Sequence, residues 1–273
     1  MNFGAALAAA SGRVDPREAK LLLREASGAS AAAVAAFPER ELEAGAATRY
    51  LDWLERRAAG EPIAYIVGWR EFFSRRFEVG PGTLIPRPET ELLVEAVLDR
   101  LVGAVPRVLD LGTGSGAIAV SIACEAPHAE VWAVDASDAA LDVAQRNAVV
   151  LDGRVRFVKS DWFAALAGER FDVLVSNPPY IAEHDSHLEQ GDLRSEPRSA
   201  LASGPDGLDD IRRIISAAPM HLLPAGWLLF EHGYDQSAAV RGLLDAAGFV
   251  EVGSLRDLAG IERVSFGRWQ KTP

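Results

Sequence analysis

Asn177-Pro178-Pro179-Tyr180 closes the apolar run Phe171–Ser176, and its residue types can grip a planar nitrogen. The two prolines carry no backbone N–H and restrict the backbone at and before their own positions. The loop therefore presents carbonyl oxygens with few competing donors. Asn177 adds a side-chain amide oxygen and Tyr180 an aromatic face. Two fixed acceptors, here Asn177 and the Pro178 carbonyl, can hold both hydrogens of an –NH2 group while the Tyr180 ring covers it. The loop reads as a site for an amide or amino nitrogen.

A nitrogen held this way needs an electrophile. Val108 to Val120 reads as strand, glycine turn and helix, with Gly112, Thr113, Gly114, Ser115 and Gly116 in the turn and Asp110 just before it. Glycines allow positive φ and close approach of backbone to a ligand. The next strand, Glu130–Val134, ends in Asp135. An acidic residue roughly 20 residues past the glycines suits a ribose diol; capping the following helix is the other use of such a residue. The turn alone is shared with nicotinamide enzymes, but Ala117 stands where the dinucleotide fingerprint has its third glycine. Together the two strand ends point to S-adenosylmethionine and methylation of nitrogen. The glycines would admit the methionine end, and Asp110 would meet its ammonium group directly or through water. Asn177 would stand between cofactor and substrate.

These residues resemble the HemK-type protein-(glutamine-N5) methyltransferases of class-I peptide chain release factors. Matching segments include Pro62–Gly68, Gly82–Glu91 (with Pro86-Arg87-Pro88-Glu89), Asp110–Gly116, Ser160–Phe163, Ser176–Ile181, Glu196-Pro197, Gly226–Gly233 and Asp257–Gly260. The resemblance implies a class-I S-adenosylmethionine-dependent methyltransferase fold, a Rossmann-like α/β domain with a seven-stranded, mostly parallel sheet behind a small N-terminal helical domain. It implies transfer of methyl to the glutamine of a Gly-Gly-Gln loop. It puts Pro86 and Arg87 with Pro179 at the substrate pocket, although Pro88 is also an ordinary first residue of a helix. It puts Asp161 and Trp162 near the adenine, with Trp162 either stacked on it or packed in the core.

Composition narrows the alternatives. The net charge is −11. Residues 1–80 hold 11 basic and 11 acidic residues, and residues 81–273 hold 17 and 28, so the C-terminal part supplies the whole excess. An acidic catalytic half repels a phosphate backbone. That argues against direct nucleic-acid binding and against an adenine-N6 methyltransferase. The intact Asn-Pro-Pro-Tyr argues against a non-catalytic S-adenosylmethionine-binding module. Cys124, the one cysteine, cannot form an internal disulfide and suits a reducing cytoplasm. No apolar run is long enough to span a membrane. A monomer is expected. His184 and His187, in a polar loop around Asp185, lack further convergent ligands, so no metal is expected.

The elements that must position these residues follow from pattern. Asp15-Pro16 starts a helix that runs to Ser27-Gly28, and a second helix is expected from about Glu39 to Ala59, with Leu51 and Leu54 packing against the first. We expect residues 1–68 to be a helical bundle that docks substrate, 69–87 a hairpin linker and 88–273 the catalytic domain. A helix is expected over 88–102. Strands near 107–111, 130–134, 154–158, 170–176 and 226–231 alternate with helices, the pattern of a parallel doubly wound sheet. A pair near 248–254 and 262–268 has no helix between its strands and should be antiparallel. The polar segment 181–206 reads as a long loop, a lid or a disordered stretch.

Overall fold

The computed structural model describes residues 1–270, so the end of the expected 88–273 segment lies outside the described residues. The chain divides into two compact units, residues 1–69 and residues from Arg70 onward.

The first unit is helical: α1 (Phe3–Ala10), α2 (Pro16–Ser27), α3 (Ala31–Ala36), α4 (Ala44–Ala58) and α5 (Ile63–Val67). Asp15 caps α2 by accepting from the Arg17 amide, and Gly28 ends it with φ of 69°. Leu22, Leu23, Tyr50 and Leu54 are buried in its core, whereas Leu51 is 41% exposed. The helix expected from Glu39 begins only at Ala44. Residues before it are drawn into extended pairing with the chain start: Leu42 N donates to Met1 O, and Asn2 bridges Glu41.

The hairpin of β1 (Trp69–Phe72) and β2 (Arg75–Glu78) lies, all but Trp69, at the start of the second unit. Its two-residue turn, Phe73-Ser74, has φ of 50° and 58°. That matches the right-handed twist of the flanking strands. Phe72 and Phe77 are buried in the core of this unit. The helix expected over 88–102 is shorter. Pro88–Thr90 forms a 3-10 turn, and α6 covers only Glu91–Leu98. Arg100 lies just beyond, its guanidinium over the rings of Trp227 and Phe266 at 4.8 and 4.2 Å.

Strands and helices then alternate: β3 (Arg107–Leu111), α7 (Ala117–Glu125), β4 (Glu130–Asp135), α8 (Asp138–Leu151), β5 (Val155–Lys159), β6 (Phe171–Ser176), α9 (Asp209–His221), β7 (Leu222–Glu231), α10 (Ser237–Ala246), β8 (Phe249–Arg256) and β9 (Glu262–Trp269). The seven strands lie in the order β5-β4-β3-β6-β7-β9-β8, with β3 to β7 parallel and β9 antiparallel to both its neighbours. Strand side chains alternate between faces. Val108, Val173 and Leu229 pack with α6 and α7 residues such as Leu93 and Ile122 on one face. Leu109, Leu174 and Leu228 pack with Ile211, Ile214 and Leu244 of α9 and α10 on the other.

The strand order reverses between β3 and β6, and ligands of open α/β sheets bind at the carboxyl ends of strands at such a point. Leu111 pairs in register with Ser176. The Ser176 hydroxyl donates to Leu111 O at 2.7 Å. The glycine turn and the Asn-Pro-Pro-Tyr loop therefore leave neighbouring strands at the same level. Segment 181–206 is not a structureless loop. It folds as three 3-10 turns, Ser186–Glu189, Leu193–Ser195 and Arg198–Ala200, and Ile181 bridges Ala202.

Candidate active site

Two cavities meet at Asn177. The larger, about 430 Å³, is lined by Gly112, Gly114, Asp135, Asp161, Trp162, Asn177 and Pro179, and is closed by Pro81–Leu84, Pro197, Ser199, Ala200 and Arg213. The smaller, about 140 Å³, is lined by Leu84, Arg87, Asn177, Tyr180, Ile181, Leu193, Ala200 and Leu201. The larger falls in the size range of small-molecule and cofactor sites, roughly 300–1,000 Å³.

The glycine turn is a closed hydrogen-bond unit. The amides of Gly112 and Thr113 donate to Val134 O, both at 2.9 Å. The Gly114 amide donates to Asp135 Oδ2 at 2.9 Å, and Asp135 Oδ1 accepts from Ser137 N at 2.9 Å. Ser137, not Asp135, caps α8. Asp135 lines the larger cavity, and each of its oxygens keeps spare acceptor capacity, because a carboxylate offers about four acceptor sites. Gly112 and Gly116 have φ of 74° and 81°. A Cβ on Gly112 would stand 3.2 Å from the Trp162 ring, and one on Gly116 would stand 3.0 Å from Ala144 Cβ.

Several expected cofactor residues lie behind this wall and not on it. Asp110 is fully buried and accepts from the Thr113 hydroxyl at 2.7 Å, with its Oδ1 unpartnered. Burial first, and the nearby Asp135 charge in smaller part, push its carboxyl up to about 7. Ser115 is buried, and its carbonyl accepts from Asn147 at 2.8 Å. Gly116 turns the chain into α7. These residues shape the turn.

Trp162 holds φ of 49°, a left-handed conformation that bulky residues rarely adopt. Its ring lies against Gly112, and its indole N–H donates to Asp210 Oδ1 at 3.2 Å. Asp161 pairs with Arg213 at 2.9 Å. The larger cavity is lined by three carboxylates, Asp135, Asp161 and Asp210, against one guanidinium, Arg213. That imbalance favours a cationic ligand.

On the other side of Asn177, the side-chain Nδ2 donates to Thr90 Oγ1 at 3.2 Å. Its Oδ1 is buried with no hydrogen-bond partner. A buried polar atom without a partner is rare and calls for an explanation. The Tyr180 hydroxyl donates to Glu231 Oε1 at 3.2 Å. Burial, then the Glu231 charge, raise the Tyr180 pKa far above its ordinary value, so the phenol stays neutral. Pro178 is buried, and Pro179 is the proline on the cavity wall. Arg87 lines the smaller cavity and pairs with Glu196, whose Oε2 accepts from Ile85 N at 2.9 Å. Pro86 is buried beside it.

The structure thus brings together Gly112, Gly114, Asp135, Asp161, Trp162, Asn177, Pro179, Tyr180 and Arg87. Sequence reasoning missed Asp210, Arg213 and the wall made by Ser199 and Ala200, and left Thr90, which stood in the matched stretch Gly82–Glu91, without a role. Glu196 stood in a matched motif, and Glu231 was visible at a strand end without a role. His187 Nδ1 meets Asp185 Oδ1 at 2.6 Å, and no cluster of three metal-ligating residues exists among the described residues. Cys124 is half-buried against the core.

Known proteins resemble both parts of the chain. Residues 2–68 match the family model PrmC N-terminal domain, and residues 88–204 match Methyltransferase small domain. A release factor glutamine methyltransferase of Burkholderia pseudomallei (strain K96243) is 58% identical over 263 residues, covering 93% of this chain and 92% of that protein. One of Escherichia coli (strain K12) is 46% identical over 254 residues, covering 93% and 92%. Among solved structures, a T. thermophilus 16S rRNA N2 G1207 methyltransferase in complex with AdoMet and guanosine superposes with a TM-score of 0.54 at 23% identity. It covers 74% of this chain and 50% of that one, a likeness of fold.

Proposed function

The chain belongs to the release factor glutamine methyltransferases, and on that premise we propose how its residues methylate a glutamine side chain. It is an S-adenosylmethionine-dependent enzyme whose substrate is a peptide chain release factor. When bound, S-adenosylmethionine supplies an electrophilic methyl group on a cationic sulfur. The larger cavity fits it in size and in its excess of carboxylates. Gly112 and Gly114 admit the methionine end, Asp135 accepts from the ribose hydroxyls, and Trp162 with Asp161 borders the adenine. Asp110, Thr113, Ser115 and Gly116 hold the turn that makes this possible.

The glutamine of a class-I release factor's Gly-Gly-Gln loop enters the smaller cavity. The observation that carries this reading is Asn177 Oδ1, a buried acceptor without a partner where the two cavities meet. An incoming –NH2 satisfies it, and the Pro178 carbonyl takes the second hydrogen. Tyr180 and Arg87 border the same space. An amide nitrogen is a poor nucleophile because its lone pair is delocalised. Hydrogen bonds from its N–H groups to fixed acceptors favour the positive charge that builds on it during attack, and these bonds strengthen in the transition state. They also aim the nitrogen along the bond that breaks. Positioning of this kind is worth up to about 7–11 kcal/mol. The new N–C bond forms as the S–C bond breaks, and the strongly acidic product nitrogen gives its proton to water or a carbonyl.

Residues 1–68 dock the release factor, 69–87 link, and residues from 88 onward catalyse. The protein works as a monomer in the cytoplasm and needs no contact with nucleic acid. Among the described residues no helix is long and apolar enough to cross a membrane. The test is mass spectrometry of an unmethylated release factor after incubation with this protein and S-adenosylmethionine. A one-methyl gain on the Gly-Gly-Gln glutamine is expected, absent when that glutamine is alanine. Methyl gain elsewhere, or on an adenine-bearing nucleic acid instead, would overturn the reading.

A further inference from the structure

The turn after β7 reaches back to the Asn177 loop with a side-chain amide that the chemistry above does not use. Gln236 Nε2 donates to Tyr180 O at 2.9 Å and to Asp206 O at 3.3 Å, and its Oε1 accepts from Gly233 N at 2.8 Å. The other polar groups of Tyr180 are tied as well. Its N–H donates to Leu201 O at 3.2 Å, and its hydroxyl donates to Glu231 Oε1 at 3.2 Å. The chain passes this point closely enough to require glycine. Gly207 has φ of 75°, and a Cβ on it would stand 2.2 Å from Tyr180 O and 2.8 Å from Gln236 Nε2.

The loop needs a hold at this end. Pro178 and Pro179 have no N–H, so neither can be anchored through a backbone donor. At its start the loop is set by the sheet, where Ser176 pairs in register with Leu111. At its far end it is set at Tyr180. Between the two lie Asn177 Oδ1 and the Pro178 carbonyl, the acceptors assigned to the substrate nitrogen. Donor counting shows why an amide does the holding. Gly233 N only donates, whereas Tyr180 O and Asp206 O only accept. A side chain that accepts at one end and donates twice at the other satisfies all three, and this fixes which way the Gln236 amide points. A carboxylate of the same size would satisfy Gly233 N but set an acceptor against two carbonyl oxygens.

We propose that Gln236 is a positioning residue for the methyl transfer: its side-chain amide clamps the Tyr180 carbonyl to the turn after β7, and so fixes the far end of the loop that carries Asn177 and Pro178. The inference rests on Asn177 being the amide anchor. Gln236 lines neither cavity, so it reaches the substrate only through the loop. In-line transfer is sensitive to such a hold, because a misplacement of about 1 Å caused by a distant change can cost about 10²-fold in rate. The backbone of Gln236 has a separate task at the start of α10, where its carbonyl accepts from Val240 N at 3.0 Å. A change confined to the side chain leaves that start in place, and an acidic residue suits a helix N-terminus.

The experiment compares wild type, Gln236→Glu, Gln236→Ala, Asn177→Ala and the Gln236→Glu/Asn177→Ala pair in release-factor methylation, with calorimetry of S-adenosylhomocysteine binding and thermal melts. Gln236→Glu keeps the size of the side chain and removes its donors; Gln236→Ala removes the side chain. The kcat of Gln236→Glu should fall about ten- to a hundredfold, with KM and S-adenosylhomocysteine affinity held within about threefold. Gln236→Ala should lose no more than Gln236→Glu, since it sets no acceptor against the two carbonyls. A residue that only fills space would give the opposite order. Both melting temperatures should stay within about 4 °C of wild type. Beside Asn177→Ala, Gln236→Glu should cost much less than it does alone, the mark of two residues acting along one path. An unchanged Gln236→Glu kcat, a larger loss in Gln236→Ala, losses that multiply with Asn177→Ala, or a kcat loss that tracks melting temperature or cofactor affinity would each overturn the clamp. An active Asn177→Ala would overturn the anchor as well; an inactive one beside an unaffected Gln236→Glu overturns the clamp alone.

Discussion

The turn after β3 and the loop after β6 leave neighbouring strands from one register pair, yet their polar groups are arranged differently. In the glycine turn the amides of Gly112, Thr113 and Gly114 are all committed within the protein. What the turn offers a ligand is shape, with free lone pairs on Asp135. In the loop after β6 the amide of Asn177 is tied down on its nitrogen side only, and its oxygen is left buried and unpartnered. One end of the switch point is a finished cradle. The other is an unsatisfied acceptor, worth little until a donor of the right shape arrives. A cofactor recognised by shape and a substrate recognised by two hydrogens require such different ends.

Replacing Asn177 with alanine should separate the two ends most sharply. Turnover on a release factor should fall about 10²–10³-fold, the usual loss when one preorganised transition-state hydrogen-bonding group is removed. S-adenosylhomocysteine affinity, read by calorimetry, should change little, because the cradle across the cleft is untouched. Equal losses in both would erase the distinction between the ends. Gly112→Ala should do the reverse. Its φ is 74°, and the new Cβ would press on the Trp162 ring at 3.2 Å. Holding an L-residue there costs roughly 1–2 kcal/mol. If binding bears that strain, cofactor affinity drops about tenfold, while kcat at saturating cofactor is largely retained.

Much of this arrangement could be read from the chain. Alternating apolar runs and helical stretches gave the parallel sheet, and the pair at 248–254 and 262–268 gave its antiparallel end. The strand ends carrying Gly112 and Asn177 were plain because glycine and proline leave strong local marks. What escaped was set by distant contacts. The helix expected from Glu39 starts at Ala44 because Leu42 is bonded to Met1, which no local pattern reveals. Segment 181–206 read as a lid or a disordered stretch; the 3-10 turns that order it, and bring Ser199 and Ala200 to the cavity wall, left no local mark. Thr90 stood in the matched stretch Gly82–Glu91 without a role of its own. Its meeting with Asn177 spans 87 positions, and only the folded sheet edge shows it. Ser115 and Gly116 sat in the right motif, but one carbonyl faces Asn147 and the other residue faces Ala144, away from the cavity.

Asp135→Ala probes the cradle from its acidic side. The change removes the acceptor of Gly114 N and Ser137 N together with any bond to a ribose. One lost hydrogen bond to a charged group is worth about 1.5–3 kcal/mol. Affinity for S-adenosylhomocysteine should weaken about tenfold or more, with kcat at saturation within a few-fold of wild type. Unchanged affinity would leave Asp135 as a brace for the turn and shift cofactor recognition to the rest of the wall.

The mildest change falls on the substrate end, at Arg87→Lys. The Arg87 guanidinium pairs with the buried carboxylate of Glu196, which also accepts from the Ile85 amide. This pair joins the strap before α6 to the segment that walls the smaller cavity. Lysine keeps the positive charge but loses the planar fork, so Glu196 stays compensated while the strap is held less firmly. Cofactor binding should not move, since Arg87 lines only the smaller cavity. The KM for the release factor should rise about three- to tenfold, a loss of roughly 1 kcal/mol, of the order of one ordinary hydrogen bond. A rise in KM without a change in cofactor affinity would extend the contrast between the two ends beyond Asn177 to the whole substrate side. A matching loss of cofactor affinity would mean that the strap braces both cavities, and that the boundary between cradle and acceptor lies on the β3 side of Asn177.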